Sequence, residues 1–289
     1  MGTVQSQVEC VTPALASEYL RHNKNNRPLN ARHVDFLARQ MKEGKWELNG
    51  QTIAFDEDEN LLDGQHRLTA QIKANVNVYY VVVRGVNKDS FATIDQGKMR
   101  SHSDIFYLAG VNNAATVSSI VNRYVSFHRG LSPLSNAGHG GNSKGQGKDK
   151  VSKKELLEIY NSHADVFQEA ARIASRAEKN GIRIMTRVES GSLAAYLVID
   201  LGYDEETINS FIGQLFSGKS EFKCIETLHK KLANSLISSV KMSSQLKTNL
   251  LAKVWNAFVT GKDIKTLFWK EKEGKIKFIS PLNRNNHER

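Results

Sequence analysis

Between Asn49 and Ala74 the chain reads NGQTIAFDEDENLLDGQHRLTAQIKA, and this stretch restricts the fold more than any other. Thr52 to Phe55 is a short apolar run, Asp56 to Asn60 a polar turn, and Leu61-Leu62 a return to apolar residues. That is the pattern of two short strands joined by a tight loop. Asp63-Gly64 ends the second strand, and Leu68, Ala70 and Ile72 follow at helical spacing. A strand that passes through a glycine straight into a helix leaves the first helical N–H groups without an intrahelical acceptor. Such a start attracts anions, phosphate above all. His66 and Arg67 fall in the first turn, where the helix dipole disfavours a cation. A negative ligand held between them would reconcile the two. The ordinary alternative is that Asp63 caps the helix and Arg67 pairs with it or lies in solvent.

The string Asp63-Gly64-Gln65-His66-Arg67-Leu68-Thr69-Ala70 resembles the signature of the ParB/sulfiredoxin-like superfamily. Members of that superfamily carry G-x-x-R or G-C-H-R at a strand-to-helix junction and bind nucleotide phosphates there. The string is similar to the DGQHR and DGQQR variants of phage, prophage and DNA-modification or restriction proteins. The order around it also resembles the family over residues 10–110: a basic Asn26-Arg27-Pro28-Leu29 segment, a helix, Asn49-Gly50-Gln51, the motif, a strand, then Asp95-Gln96-Gly97-Lys98-Met99-Arg100.

The resemblance implies an α+β chain. Residues 1–110 would form a ParB/sulfiredoxin-like nucleotide-binding domain, a small mixed sheet with helices, and residues 111–289 an α-helical domain. It implies that Gly64, Gln65 and Arg67 hold the phosphates and that Arg27 approaches them from its loop. Lys98 and Arg100, beside a second glycine and a second helix start, would complete the cradle. His66 or Asp63 is the residue that would polarise an attacking group, and Asp63 would hold either the ribose or the Mg²⁺ accompanying an NTP. The departures matter as well. Gln65 stands where sulfiredoxin needs a cysteine, which excludes sulfinic-acid reduction. His66 and Thr69 stand where the ParB signature has arginines, and the helix-turn-helix module that follows it there is not found. Both points argue against a CTP-gated DNA clamp.

Two function classes follow. One is a nucleotide-binding NTPase or phosphotransferase in phage biology, DNA modification or defence. The other is a DNA-binding or ParB-like nuclease module that takes a phosphodiester backbone into the same basic pocket. A domain that serves only as a scaffold is the blander reading. A net charge of +10 and a pI near 9.5 are compatible with a polyanionic partner, although the lysines are dispersed along the chain. The length suits two modest cores. No apolar run approaches a membrane span, and Met1 to Cys10 lacks the apolar core of a signal peptide. The expectation is therefore no membrane partner and residence in the cytoplasm of a bacterial or phage-infected cell. Cys10 and Cys224 form neither a C-x-x-C pair nor a disulfide framework. No Walker loop, zinc spacing or Ser-His-Asp arrangement is present, and Asp56 to Glu59 reads as a solvated turn rather than a metal cluster.

Elsewhere the pattern predicts a strand at Gln7–Val11 and a short helix to Leu20 capped by Thr12 or Ser17. Asn30 is the expected cap of a helix over Ala31–Glu43, and VNVYYVVV at Val76–Val83 reads as a buried strand. Ser103 is the expected cap of Asp104–Leu108, and a helix follows over Asn113–Arg129. Residues 132–150, with Gly138, Gly140, Gly141, Gly145 and Gly147, read as a flexible loop. Beyond it every pattern is helical: a Ser152 capping box, then Val166–Glu178, Ser190–Leu201, Asp204 capping Glu205–Phe216, Leu228–Val240 and Leu246–Phe258. Thr260–Lys277 reads as a basic closing strand or tail. Val254-Trp255-Asn256-Ala257-Phe258 resembles a helix of the phage ParB-like proteins, with Trp255 in the core.

Overall fold

A computed structural model describes residues 3–24, 26, 28–87, 100–129, 151–239 and 242–281. Arg27, Lys98 and the glycine-rich stretch 132–150 lie outside the described residues. Among the described residues, those up to 87 form one compact unit and those from Arg100 onward form a second. The fold is α+β: one small mixed sheet, and helices for most of the remainder.

The first unit has strands β1 (Gln5–Val11), β2 (Thr52–Asp56), β3 (Leu61–Asp63) and β4 (Val78–Val86) in the order β1-β4-β2-β3. β1 runs antiparallel to β4, β4 parallel to β2, and β2 antiparallel to β3. Helices α1 (Pro13–Arg21), α2 (Ala31–Lys42) and α3 (Gln65–Ala74) complete it. Successive strand side chains point to opposite faces. Ile53, Phe55, Tyr80 and Val82 therefore share one core with Val34, Leu37 and Met41 of α2 and Leu68 of α3. The continuous apolar run of β4 led to the expectation of a strand buried on both faces. Instead it alternates: Val78, Tyr80 and Val82 are buried, while Tyr79 is 58% exposed.

The second unit contains α4 (His102–Leu108), α5 (Ala114–His128), α6 (Lys153–Ser162), α7 (Ala164–Asn180), α8 (Arg187–Ile199), α9 (Glu205–Ser217), α10 (Lys223–Ile237) and α11 (Ser244–Thr260). Trp255 of α11 is fully buried, edge-on to Tyr203 and Phe211. Ser101, not Ser103, caps α4, through a capping box with Asp104. The segment after α11 forms no strand among the described residues. Apart from a 3-10 turn at Glu271–Glu273 it is irregular, and it is fastened to α11 by side chains. Asn249 Oδ1 accepts the Ile276 N–H at 2.7 Å, and Asn256 both accepts from Ile279 N–H and donates to the Lys277 carbonyl. The Trp-Asn step of α11 thus has two structural tasks, core and clamp.

Candidate functional site

The junction of β3 and α3 is built on Gly64. Its φ of +115° lies in the left-handed region, and a Cβ there would meet Ile53 Cδ1 at 2.5 Å, so only glycine fits. Gly64 is itself the residue before the first helical turn, and no side chain caps α3. Asp63 is consequently not the N-cap that the ordinary alternative required. Its Oδ1 turns back to accept the Gly64 N–H at 2.7 Å, and its Oδ2 takes Arg67 Nη2 at 2.6 Å.

Arg67 is 8% exposed. Besides Asp63, its Nη2 donates to the Thr52 carbonyl at 2.8 Å, and Nη1 donates to Gln51 Oε1 at 3.3 Å. Of the two arrangements left open by the sequence, the structure has the one in which Arg67 pairs with Asp63. The guanidinium braces β3 and the entry to β2, and Asp63 offsets its charge. The same contacts give Gln51, just before β2, its task.

Gln65 and His66 meet the polar loop between α1 and α2. The Asn30 N–H donates to His66 Nε2 at 3.0 Å, so that nitrogen carries a lone pair in this arrangement. His33 lies beside it, with ring centroids 5.5 Å apart. Asn23 Nδ2 donates to Gln65 Oε1 at 3.1 Å, and Asn26 Nδ2 reaches both Asn23 Oδ1 and the Leu61 carbonyl. Asn23, Asn26 and Asn30 are thus neighbours of the motif, a role beyond the family segment expected at Asn26 and the helix cap expected at Asn30. The concentration of asparagines in one loop was the only signal for it. Arg27 and Lys98 fall outside the described residues, and Arg100 opens the second unit.

Two further donors are buried in this unit, and one of them, Tyr80, feels the charge of Arg67. The Tyr80 hydroxyl and the Trp46 indole N–H are buried and have no hydrogen-bond partner, and their rings are 6.3 Å apart edge-to-face. Burial pushes the Tyr80 phenol well above its ordinary value, and the positive charge of Arg67 opposes that rise.

Among the described residues no group of three or more His, Cys, Asp and Glu side chains is placed to hold a metal. Asp63 offers a carboxylate whose two oxygens each already have a protein donor. The described residues therefore do not form a magnesium cage. Asp56 also differs from expectation. Rather than being solvated, it is buried at the root of its turn, accepting from the Asp58 and Asn60 N–H groups and from Asn60 Nδ2. That is the local capping habit of aspartate in turns. No family model, curated protein or solved structure matches this chain.

Proposed function

We propose that the first unit is a nucleotide-binding domain of ParB/sulfiredoxin-like arrangement that takes the phosphates of a nucleoside di- or triphosphate at the start of α3. The observation that carries this reading is the start of α3 itself, a left-handed glycine with no side-chain cap. The unpartnered Tyr80 hydroxyl and Trp46 indole lie in the same unit, Tyr80 within the field of Arg67. Phosphate oxygens are acceptors only, and a helix start offers both aligned amides and a positive dipole end.

The reading assigns Arg67 a different task from that first expected. It positions Asp63 and Gln51 around the junction rather than clasping the ligand. Gln65 and His66, anchored to Asn23 and Asn30, form the polar rim. Magnesium would arrive on the phosphates with its own waters, since it keeps several of them in such sites. Hydrolysis or phosphate transfer is not part of the proposal, because Asp63 and His66 both spend their acceptors on the protein.

The test is thermal unfolding of the purified chain with each NTP, with and without Mg²⁺. A ligand selective for the folded state at a hundred times its Kd adds about 2.7 kcal/mol of stability. The companion variant is His66→Glu. A carboxylate at that position suits the helix dipole and can still accept the Asn30 N–H, so the fold should persist while phosphate is repelled. Stabilisation by an NTP that disappears in His66→Glu supports the reading. No response to any NTP, or an undiminished response in the variant, removes it. Binding of DNA, abolished in the same variant and without any nucleotide response, would replace it with the phosphodiester reading.

A further inference from the structure

Charge is divided unevenly along the chain. Residues 1–99 hold twelve Lys and Arg against twelve Asp and Glu, so the whole excess of +10 falls on residues 100–289, where 28 basic side chains oppose 18 acidic ones. The segment that follows α11, residues 261–289, holds eight Lys and Arg against four Asp and Glu. Lys262, Lys265, Lys270, Lys272, Lys275 and Lys277 are all exposed there. Among the described residues, two of the three acids of that segment are occupied. Asp263 accepts the N–H groups of Lys223 and Cys224 at the start of α10, and Glu273 accepts from Lys253 Nζ and the Lys270 N–H.

Among these lysines Phe268 is 51% exposed, although the neighbouring Leu267 is buried. Its ring has Lys253 Nζ at 5.0 Å and Lys270 Nζ at 6.0 Å from the centroid. The backbone beneath it is fixed: Lys253 Nζ donates to the Phe268 carbonyl, the Trp269 indole donates to the Gly274 carbonyl, and Asn249 and Asn256 hold residues 276–279. An exposed aromatic face, held in place and ringed by cations, suits a ligand with flat π-faces and regularly spaced negative charges.

We infer that this segment is a contact surface for single-stranded nucleic acid, with Phe268 stacking on a base and Lys265, Lys270 and Lys272 serving the flanking phosphates. Stacking on aromatic side chains within a positive surface is how single strands are held without sequence preference. A duplex is a poorer fit, because its bases hide their faces against one another. An acidic peptide would use the lysines and leave the ring idle. The proposal is independent of nucleotide binding at α3.

The test is fluorescence anisotropy of the full chain with fluorescein-labelled dT20 and U20, a duplex of equal length, and vesicles containing phosphatidylserine as a parallel probe. The single strands should bind, with log K falling against log salt by about 0.7 per neutralised phosphate. Phe268→Ala should weaken binding by roughly 5- to 150-fold, the range expected for one lost base stack. The pair Lys270→Gln and Lys272→Gln should lower the salt slope by about 1.4. All three side chains are exposed, and unchanged circular dichroism would establish that the variants fold. Failure of dT20 and U20 to bind at low salt overturns the proposal. So does an affinity that Phe268→Ala leaves unchanged, or a duplex bound as tightly as the strands. Binding to the vesicles alone would reassign the surface to membranes.

Discussion

Replacing Arg67 by methionine separates a brace from a ligand clasp. The substitution keeps most of the side-chain volume but removes the guanidinium. It leaves Asp63 Oδ2 and the Thr52 carbonyl without their guanidinium donor. A wholly buried pair broken on one side loses about 3–5 kcal/mol, and an exposed one about 0.2–1. The Arg67 side chain is 10% exposed and that of Asp63 32% exposed, so this pair falls between the two limits. A charge-assisted hydrogen bond contributes about 1.5–3 kcal/mol, and the expected cost of Arg67→Met is accordingly about 2–3 kcal/mol. Asp63→Asn should cost about half as much, because its amide oxygen can still accept from Arg67 or Gly64. The double variant should show a coupling of about 1–1.5 kcal/mol. Native-state hydrogen exchange on peptides from α3 and β2 measures this in the first unit alone, which global unfolding of a two-unit chain does not. A coupling under about 0.5 kcal/mol, together with a lost response to NTP, would refute the brace and restore Arg67 as the clasp.

Gly64→Ala should destabilise the same peptides by about 2–4 kcal/mol, from the clash with Ile53 Cδ1 and the positive φ together. Adding Ile53→Val removes the clashing methyl and should recover only part of that loss; a Gly64→Ala chain as stable as the parent would mean the junction is wrongly described. Tyr80→Phe removes a buried hydroxyl that has no partner, so it should leave stability unchanged or raise it by up to about 1 kcal/mol. If it also weakens the NTP response, that hydroxyl is one of the ligand's donors, whereas a clear loss of stability would expose an internal partner. Burial first, and then the hydrogen bond to and charge of Glu9, push the Tyr19 phenol up to about 12 against the opposing charge of Arg84. A raised folded value favours the protonated form, so the contribution is intact below pH 10, the ordinary value, and is lost as the pH climbs to 12. Ultraviolet titration against Tyr19→Phe checks this, and a parent chain that loses no more stability than the variant across that window would contradict it.

The legible parts of the fold are those decided within a few residues. Thr12 caps α1 because its hydroxyl reaches the Leu15 N–H, while Ser17 spends its own on the Pro13 carbonyl. Asn30, Ser152 and Asp204 announce their helices for the same local reason. The β3–Gly64–α3 turn was readable because strand period, glycine and helix period meet at one point. What failed were choices made by distant contacts. α10 begins at Lys223 rather than Leu228, because its first amides are capped by Asp263, forty residues further on in the chain. The Asp63–Arg67 pair has a spacing that serves an internal bridge and a ligand clasp equally well, and only burial decides between them. The run at Asp56 misled for a related reason: four consecutive acids read as solvated, yet one of them folds inward to hold its own turn.

The division of charge links the two proposed sites and makes them separable by salt. The first 99 residues are electrically balanced, and Asp63 offsets Arg67, so an anion at the start of α3 would be held by amides and dipoles. Those act over one helical turn and release few counterions, so their dependence on salt should be shallower than that of a lysine cluster. A strand on the segment around Phe268 would displace counterions instead. Three lysines engaged with phosphates give a slope of about 2.1, which corresponds to roughly twenty-fold weaker binding between 50 and 200 mM salt. Nucleotide affinity should change by only a few-fold over the same range. If the two affinities fall in parallel, the nucleotide is being held by the lysines of the second unit. The helix start would then be a structural junction whose glycine and ion pair serve the fold alone.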